Sequence, residues 1–199
     1  IYAAAYKLPS QLINLPIYTA FDKGDIISGI SVGTTSSANY STEFDVNVYY
    51  AVSKHFITGI NFASQENIVF NMHYSFLADP LSKFKIVGGL MNIPINGDTT
   101  IQEYKEFDYL QSNAYSPYLV GSYHHDMIHL HLGYGGNQYK YESKDDALIP
   151  GIPGLIFGMQ IPVNNMSFGV EYDGKDLNLG TEFILSEKTH LYLSLTELT

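Results

Sequence analysis

Histidines gather in one short stretch of the chain, where their spacing could support metal binding. His124 and His125 are adjacent, and His129 and His131 follow at alternate positions. In an extended strand, side chains two residues apart point to the same face, so His129 and His131 could share a metal ion with a third ligand. The alternative is that they are ordinary polar residues of one sheet face, beside a histidine pair in a turn. We favour the alternative and expect no metal site and no cofactor.

The sequence contains no recognisable motif for nucleophilic catalysis. Ser122 near His124 is the only local suggestion of a serine–histidine pair, and it lacks a nucleophile-elbow signature. The chain contains no Cys, which excludes thiolate catalysis, disulfides and zinc–thiolate sites. No glycine-rich phosphate loop or EF-hand spacing is present. We therefore expect that the protein is not an enzyme.

The overall charge argues against a nucleic-acid partner. The 199-residue chain has 10 Lys+Arg against 20 Asp+Glu, for a net charge of -10. Nucleic-acid binding needs a cationic surface that displaces counterions from phosphates. Charged residues are only 15% of the chain, below the roughly 25% that is typical of soluble domains. The composition therefore excludes a nucleic-acid binder and leaves a membrane protein open.

The stretch from residue 44 to residue 76 indicates the kind of secondary structure that positions the candidate histidine and serine side chains. Apolar and polar residues alternate through three successive segments, 44–52, 56–62 and 68–76. A period of two residues predicts β-strands with one apolar and one wetter face, whereas a helix would scatter the apolar residues around its circumference. A three-residue turn at 53–55 would place Val52 opposite Phe56 and keep both apolar sets on one face.

The same alternation continues to the end of the chain. Further strands are predicted over 25–33, 84–93, 114–123 and 128–135, followed by a meander of strands across 155–195. The fold class is thus all-β, an antiparallel up-and-down barrel of about 10–12 strands, since bacterial barrels normally have an even number. Residues 12–20 or 101–110 could hold a strand that the pattern does not show clearly. We expect an N-terminal arm or plug over 1–24 and a single β-barrel domain over 25–199.

The connections differ between the two ends of the predicted barrel. Short turns are predicted on one side, at 53–55, 79–83, 124–126, 162–165 and 186–188. The two long loops, 94–113 and 137–153, fall on the other side. Strands of this length and this sorting of connections are typical of a transmembrane barrel in the bacterial outer membrane.

In such a barrel one face of the sheet lines the lumen and the other face contacts lipid. The predicted lumen-lining residues are Glu43, Asp45, Asn47, Asn61, Asn71, His73, Lys85, His129, His131, Glu171, Asn178 and Glu182. The predicted lipid-facing residues are Phe44, Val46, Val48, Tyr50, Phe56, Ile60, Phe62, Ile68, Phe70, Met72, Ile128, Leu130, Leu132, Phe157, Phe168, Val170, Leu177, Leu179, Leu191 and Leu193. Aromatic residues at strand ends, among them Phe76, Phe84, Tyr134 and Tyr172, suit the girdles at a membrane interface. The carboxylates of the inner set predict a cation-favouring interior or a hydrogen-bonded plug.

Two segments carry a resemblance to a known family. The run Val170-Glu171-Tyr172-Asp173-Gly174-Lys175-Asp176-Leu177-Asn178-Leu179-Gly180 resembles the closing hairpins of YjbH-type outer-membrane barrels. The run Pro16-Ile17-Tyr18-Thr19-Ala20, followed by Lys23-Gly24, resembles the entry to the first strand of such barrels. The resemblance implies a barrel in the outer membrane and an association with exopolysaccharide export.

The leading hypothesis is an integral outer-membrane β-barrel of a Gram-negative cell envelope, with a structural or binding role through its long extracellular loops. A narrow, porin-like, cation-preferring channel is the transport version of this hypothesis. Expected partners are the lipid bilayer of the outer membrane, with lipopolysaccharide or another lipid, and an envelope protein or a polysaccharide. The alternative from another class is a soluble β-barrel or β-sandwich that binds an apolar ligand or a carbohydrate.

Overall fold

The computed structural model describes residues 22–34, 42–63, 68–77, 82–95, 116–136, 154–174, 177–186 and 189–195. Within these ranges the chain forms eleven β-strands and no helix. The strands are β1 (Ile26–Thr34), β2 (Thr42–Ser53), β3 (Phe56–Ala63), β4 (Ile68–Leu77), β5 (Phe84–Pro94), β6 (Ser116–His125), β7 (Ile128–Gly135), β8 (Leu155–Val163), β9 (Met166–Tyr172), β10 (Leu177–Ser186) and β11 (Thr189–Leu195). No helix in the described part of the chain is long and apolar enough to cross a membrane.

All eleven strands belong to one antiparallel sheet, and their order in the sheet is their order in the chain. Each strand from β2 to β10 is hydrogen-bonded to the strand before it and the strand after it, as an up-and-down meander requires. The predicted all-β meander is therefore confirmed. Among the described strands, β1 pairs only with β2 and β11 only with β10, so these strands leave the sheet open.

The meander sorts the connections between the two ends of the sheet. One end, which we call the turn end, carries the connections 54–55, 78–83, 126–127, 164–165 and 187–188. The opposite end, the loop end, carries 35–41, 64–67, 95–115, 136–154 and 173–176. Both of the longest connections thus leave the sheet from the loop end. Most of the predicted loop 94–113, the whole of the loop 137–153 and the candidate strands at 12–20 and 101–110 lie outside the described residues.

The register of the first hairpin confirms part of the prediction and corrects the rest. Tyr50 lies opposite Thr58 as expected, but Phe56 pairs with Ser53 instead of Val52, because the register shifts between Ala51 and Ser53. The Ser53 hydroxyl accepts hydrogen bonds from the backbone N–H of residues 55 and 56, at 3.2 and 3.1 Å. This side chain caps a tight turn at 54–55, and the extra residue is absorbed as a bulge.

Two turns are tighter than predicted. The expected connection at 162–165 shrinks to 164–165, because β8 continues to Val163 and pairs there with Met166. Asn164 adopts a left-handed φ of 54°, which Asn tolerates better than most residues and which suits a tight hairpin. The expected turn at 124–126 becomes 126–127, because His125 pairs with Ile128.

Of the predicted N-terminal arm over 1–24, the structure describes only its last residues. Asp25 donates its backbone N–H to the carbonyl oxygen of Asp22 at 3.1 Å, and Asp22 donates its own N–H to the Asp25 carboxylate at 2.9 Å. Gly24 has a φ of 97°, a conformation that favours glycine. These contacts form a tight chain reversal immediately before β1.

The core of buried apolar side chains lies on one face of the sheet only. Its members are Tyr49, Ile57, Val87, Met91, Tyr118, Val120 and Ile156. They alternate along their strands with exposed residues such as Val48 and Tyr50. We call the face that carries this core the buried face, and the opposite one the outer face.

Candidate functional site in the buried face

The distribution of polar residues is the reverse of that in a soluble sheet protein. The side chains of Asn71 and Glu171 on the buried face have no exposed surface. On the outer face, Phe84 is 61% exposed and Leu132 is 62% exposed. Soluble proteins bury apolar side chains and leave ionisable ones at the surface, so this sheet has an inverted distribution.

The buried face carries nearly the whole predicted lumen-lining set. Buried members are Asn47, Asn61, Asn71, His73, Lys85, His131, Glu171 and Asn178, and half-buried members are His129 and Glu182. Glu43 and Asp45 lie in β2, but their side chains lie outside what the structure describes. The residues thus share one face, whereas a lumen along that face stays a prediction.

The outer face carries the predicted lipid-facing set. Exposed members are Val48, Tyr50, Phe62, Leu130, Leu132, Phe157, Phe168, Leu179, Leu191 and Leu193. Half-buried members are Val46, Phe56, Ile60, Ile68, Phe70, Met72, Ile128, Val170 and Leu177. The side chain of Phe44 lies outside the described ones. Every described member is at least partly exposed, and its contact with lipid stays a prediction.

Large side chains on the buried face lie over glycines of neighbouring strands. Tyr49 is directly opposite Gly59, which is in turn opposite Asn71. The Tyr49 ring covers Gly59 so closely that a Cβ there would overlap it. Its hydroxyl donates a hydrogen bond to the Asn61 side-chain oxygen at 2.7 Å and accepts one from the Asn71 amide at 3.4 Å. The glycine therefore creates the space in which an aromatic ring and two amides interlock.

The same arrangement recurs around Gly89. His73 and Tyr118 lie on either side of this glycine, and the Tyr118 hydroxyl is 2.7 Å from His73 Nδ1. A Cβ on Gly89 would overlap the backbone carbonyl oxygen of Met72 and approach the Tyr118 hydroxyl. Polar contacts across a glycine thus connect β4 with β6 through β5.

A hydrogen-bond network replaces this packing in the later strands. Glu182 accepts a hydrogen bond from the Tyr192 hydroxyl at 2.8 Å and lies 2.7 Å from His190 Nδ1. Gln160 bonds to Ser167 and lies 3.5 Å from Glu182, and its side-chain oxygen lies 3.2 Å from His129 Nδ1. The network connects β7 to β11 near the turn end.

A second carboxylate is held near the loop end. Glu171 is fully buried and accepts a hydrogen bond from the Asn178 amide at 3.2 Å. The same amide nitrogen donates to the Asp173 carboxylate at 2.9 Å. Asn178 thus joins two acidic side chains, which keeps the start of β10 close to the end of β9.

The histidines do come together, with their rings packed against one another. The rings of His124 and His129 stack with centroids 4.4 Å apart, and His131 lies edge-on to His124 at 5.9 Å. Among the described residues, no group of three or more His, Cys, Asp or Glu side chains is arranged to hold a metal ion.

The serine–histidine pair differs from the one that the sequence suggested. Ser122 is directly opposite His131, and its hydroxyl lies 2.8 Å from His131 Nδ1, whereas His124 is opposite His129. Ser122 and His131 are 4% and 3% exposed, so a substrate in solution could not reach the hydroxyl. This pair therefore stabilises the buried face.

Some buried polar atoms have no hydrogen-bond partner among the described residues. They are Asn61 Nδ2, His73 Nε2, His124 Nε2 and His131 Nε2. They belong to β3, β4, β6 and β7. The rings of His124 and His131 lie 5.9 Å apart, so two of these atoms belong to the same part of the buried face.

The outer face carries an aromatic band at the turn end. The rings of Tyr74 and Phe76 are 5.0 Å apart, those of Phe84 and Tyr123 are 5.0 Å apart, and Phe56 lies 6.5 Å from Tyr74. These five residues, our aromatic band, extend from β3 to β6. They match the predicted position of aromatic residues at strand ends.

Tyr172 was expected among the exposed aromatic residues, and that expectation is wrong. It has no exposed surface, stacks on Phe157 at 5.4 Å and donates its hydroxyl to the carbonyl oxygen of Gly174 at 3.2 Å. The position of Tyr172 in the alternating pattern was predicted correctly. Its hydrogen bond to Gly174 in the following turn could not be predicted from that pattern.

Four aromatic or amide residues of the buried face were not in the predicted lumen-lining set. Tyr49, Tyr118, Gln160 and Tyr192 take positions that the alternation assigns to small or polar residues. A usable signal was present for Tyr49 and Tyr118, because each lies directly opposite a glycine in the neighbouring strand. A large residue opposite a glycine indicates close packing across the sheet.

Comparisons of the chain with protein-family models, with curated proteins and with solved structures found no match. The resemblance to YjbH-type barrels therefore stays a prediction.

Proposed function

We propose that this protein is an integral β-barrel of a bacterial outer membrane with a packed polar interior. Its role in this proposal is structural or binding, with the loops around 94–113 and 137–153 presented at one surface. The observation that supports it is the inverted distribution of side chains, in which Glu171 is fully buried while Leu132 is 62% exposed.

An apolar outer face is difficult to reconcile with water as its solvent. Burying apolar surface contributes about 25 cal/mol per Å², and soluble monomers rarely expose large contiguous apolar patches. Exposed aliphatic and aromatic side chains occur on strands from β1 to β11 here. A soluble sandwich or barrel would direct this face inward, so the alternative hypothesis is disfavoured.

Strand length and aromatic placement also support a membrane. Seven of the eleven described strands have 9 to 12 residues, and the other four have 7 or 8. A tilted strand of about 9–11 residues crosses a bilayer. The aromatic band at the turn end would then lie at one membrane–water interface, where aromatic rings are enriched.

A packed interior favours an anchor over a channel. Tyr49, Asn71 and Glu171 are all inaccessible to water, although each lies on the face that a channel would use. A conducting pore needs a continuous aqueous path with exposed polar lining. We therefore expect no conductance steps in planar bilayers. The resemblance to YjbH-type barrels makes exopolysaccharide the first ligand to test against the loops.

Single-tryptophan variants test the membrane proposal. The chain contains no Trp, so one introduced Trp gives an unambiguous emission signal. Leu132→Trp places it in the middle of β7 on the outer face, and Asp126→Trp places it in an exposed turn of the same hairpin. In vesicles of phosphatidylcholine with brominated acyl chains, we expect strong quenching of Leu132→Trp and weak quenching of Asp126→Trp.

Acrylamide, a quencher that stays in the water phase, should quench Asp126→Trp more strongly than Leu132→Trp. The proposal fails if acrylamide quenches both variants equally while the brominated lipid quenches neither. It also fails if the protein stays monomeric in plain buffer without detergent.

A further inference from the structure

Four of the seven histidines of the chain lie in the hairpin of β6 and β7. The rings of His124 and His129 stack with centroids 4.4 Å apart, and His131 lies edge-on to His124 at 5.9 Å. His131 is 3% exposed, whereas His124 and His129 are half-buried. We call these three residues the histidine cluster. The cluster lies toward the turn end of the buried face, where its rings contact one another more than they contact water.

The hydrogen bonds of the cluster do not need a second proton on any ring. His131 Nδ1 lies 2.8 Å from the Ser122 hydroxyl, and His129 Nδ1 lies 3.2 Å from the Gln160 side-chain oxygen. The Nε2 atoms of His124 and His131 are buried and have no hydrogen-bond partner among the described residues. In a protonated ring both nitrogens are donors, so each of these Nε2 atoms would become a buried donor without an acceptor.

The neighbouring strands add a positive and a neutral side chain to this part of the buried face. Lys85 of β5 is directly opposite Ser122, which is in turn opposite His131. Strand β8 contains no ionisable side chain, and Gln160, which lies opposite His129, is a neutral amide. A positive charge on one ring would therefore be close to other imidazoles and to an ammonium group, in a site where it loses hydration.

The described carboxylates around the cluster are those of Asp126, Glu171 and Glu182. Asp126 is exposed in the turn, and Glu171 lies beyond Gly158, where it accepts a hydrogen bond from Asn178. Gln160 separates Glu182 from His129. Within the described part of the chain, none of these carboxylates is hydrogen-bonded to a ring of the cluster, so a charged ring would have no counter-charge in direct contact.

The turn of the same hairpin contains a further contact that a proton would break. The backbone N–H of Met127 donates a hydrogen bond to His125 Nδ1 at 3.4 Å. A ring nitrogen that binds a proton has no lone pair left to accept this bond. Acid would therefore act on the turn as well as on the cluster.

We propose that the histidine cluster is an acid-sensitive element, which opens the turn end of the β6–β7 hairpin as the pH falls while the other strands stay paired. Histidine in water binds a proton near about pH 6.5. The open hairpin hydrates the rings and lets them bind this proton, and the closed hairpin does not, so protons favour the open form. Each histidine that is protonated only in the open form raises the open population by up to about tenfold per pH unit below about pH 6.5. The hairpin is therefore stable above this pH and loses stability below it.

The inference goes beyond the proposed membrane role and does not depend on it. The cluster lies on the buried face, whichever solvent the outer face contacts. Opening of the hairpin would admit water to the buried face in acid and not at neutral pH. The Trp experiment above can therefore fail while this proposal holds, and the reverse.

Hydrogen–deuterium exchange of the full-length protein in detergent micelles tests the proposal. Protection factors of the backbone amides are measured at about pH 7.5, 6 and 5 and corrected for the pH dependence of intrinsic exchange. We expect the protection of residues 122–131 to fall by about tenfold or more between about pH 6 and 5. Over the same interval, the protection of β2 should fall by less than about twofold.

A double variant, His124→Gln with His131→Gln, removes two of the rings and keeps an uncharged amide at each position. The loss of protection in the hairpin between about pH 6 and 5 should then be smaller by about tenfold or more. His190→Gln is the matched control and should keep the parent response, because His190 lies 2.7 Å from the Glu182 carboxylate and outside the cluster. If the double variant does not fold, His124→Gln at its half-buried position gives the same comparison with one ring removed.

Three results would overturn the proposal. The first is an equal loss of protection in β2 and in the hairpin, since acid would then unfold the whole sheet. The second is constant protection of the hairpin over the whole pH range. The third is a parent-like acid response in a folded variant from which cluster histidines have been removed.

Discussion

Strands β2 to β6 and strands β8 to β11 fill the same buried face with different chemistry. In the first group, rings lie over glycines, as Tyr49 does over Gly59, and the hydroxyl of the ring bonds to polar side chains of the next strands. In the second group, Gln160 and Glu182 are held by hydrogen bonds that pass from strand to strand. Both groups have the same alternation in the sequence.

Alternation in the sequence therefore specifies which face is buried but not how that face is stabilised. Where a glycine provides space, a neighbouring ring can occupy it and exclude water. Where carboxylates and amides take the inner positions, each must find a partner, because an unpaired buried polar group costs free energy. The first group should therefore be sensitive to added volume and the second to lost acceptors.

The largest effect is expected from volume added beneath Tyr49. Gly59→Ala would drive a Cβ into the Tyr49 ring, which is fully buried. Overpacking of this kind costs about 3 kcal/mol. The free energy of unfolding can be measured by urea titration in detergent micelles, followed by circular dichroism.

Gly121→Ala is the matched control for this variant. The nearest atom to a Cβ there is the Leu132 carbonyl oxygen at 3.8 Å, an ordinary contact. We expect a change of less than about 0.5 kcal/mol, as for other surface substitutions. Equal effects of the two variants would contradict the packing of Tyr49 over Gly59.

A smaller effect is expected from the loss of a charged acceptor in the second group. Glu182→Leu removes the acceptor of the Tyr192 hydroxyl and the partner of His190 Nδ1. Hydrogen bonds to charged groups contribute about 1.5–3 kcal/mol, and partial exposure of Glu182 places the expected loss near the lower value. Glu182→Gln keeps an oxygen acceptor and should lose less in the same urea titration. A leucine variant as stable as the parent protein would argue against the network.

Ser122→Ala should cost about 1 kcal/mol, the net contribution of one neutral hydrogen bond. The substitution removes the partner of His131 Nδ1 in a buried pair. Ser82→Ala is a control, because the Ser82 hydroxyl makes its hydrogen bonds at an exposed position. The urea midpoints should separate these two variants, and an equal shift would contradict a buried role for Ser122.

The smallest expected quantity is the coupling between the two groups. Gly59→Ala and Glu182→Leu change residues of β3 and β10, which are far apart in the order of the sheet, so their effects on the free energy of unfolding should add within about 0.5 kcal/mol. A double-mutant cycle measures this coupling. A larger value would mean that the two fillings of the buried face form one cooperative unit.

Much of the fold could be predicted from the sequence, because face parity is a local property. The strand β7 was predicted with its observed bounds, and the pairing of Tyr50 with Thr58 was correct. The pairing of Val52 with Phe56 was wrong, because a serine hydroxyl stabilises a bulge that no hydrophobic pattern encodes. The contact of Ser122 with His131 depends on the register between β6 and β7. This register places Ser122 opposite His131, although His124 is closer to Ser122 in the sequence.

The order of the strands has a consequence for how quickly the sheet can form. Each observed pair consists of two strands that are consecutive in the chain. Forming a pair therefore closes only the single connection between those two strands. Loop closure costs entropy that rises slowly with length, and proteins with local pairings fold faster than those with distant ones. The connections 95–115 and 136–154 are the long ones, so pairing of β5 with β6 and of β7 with β8 should be the slowest steps between consecutive strands. Shortening either connection should accelerate refolding more than shortening any turn at the opposite end.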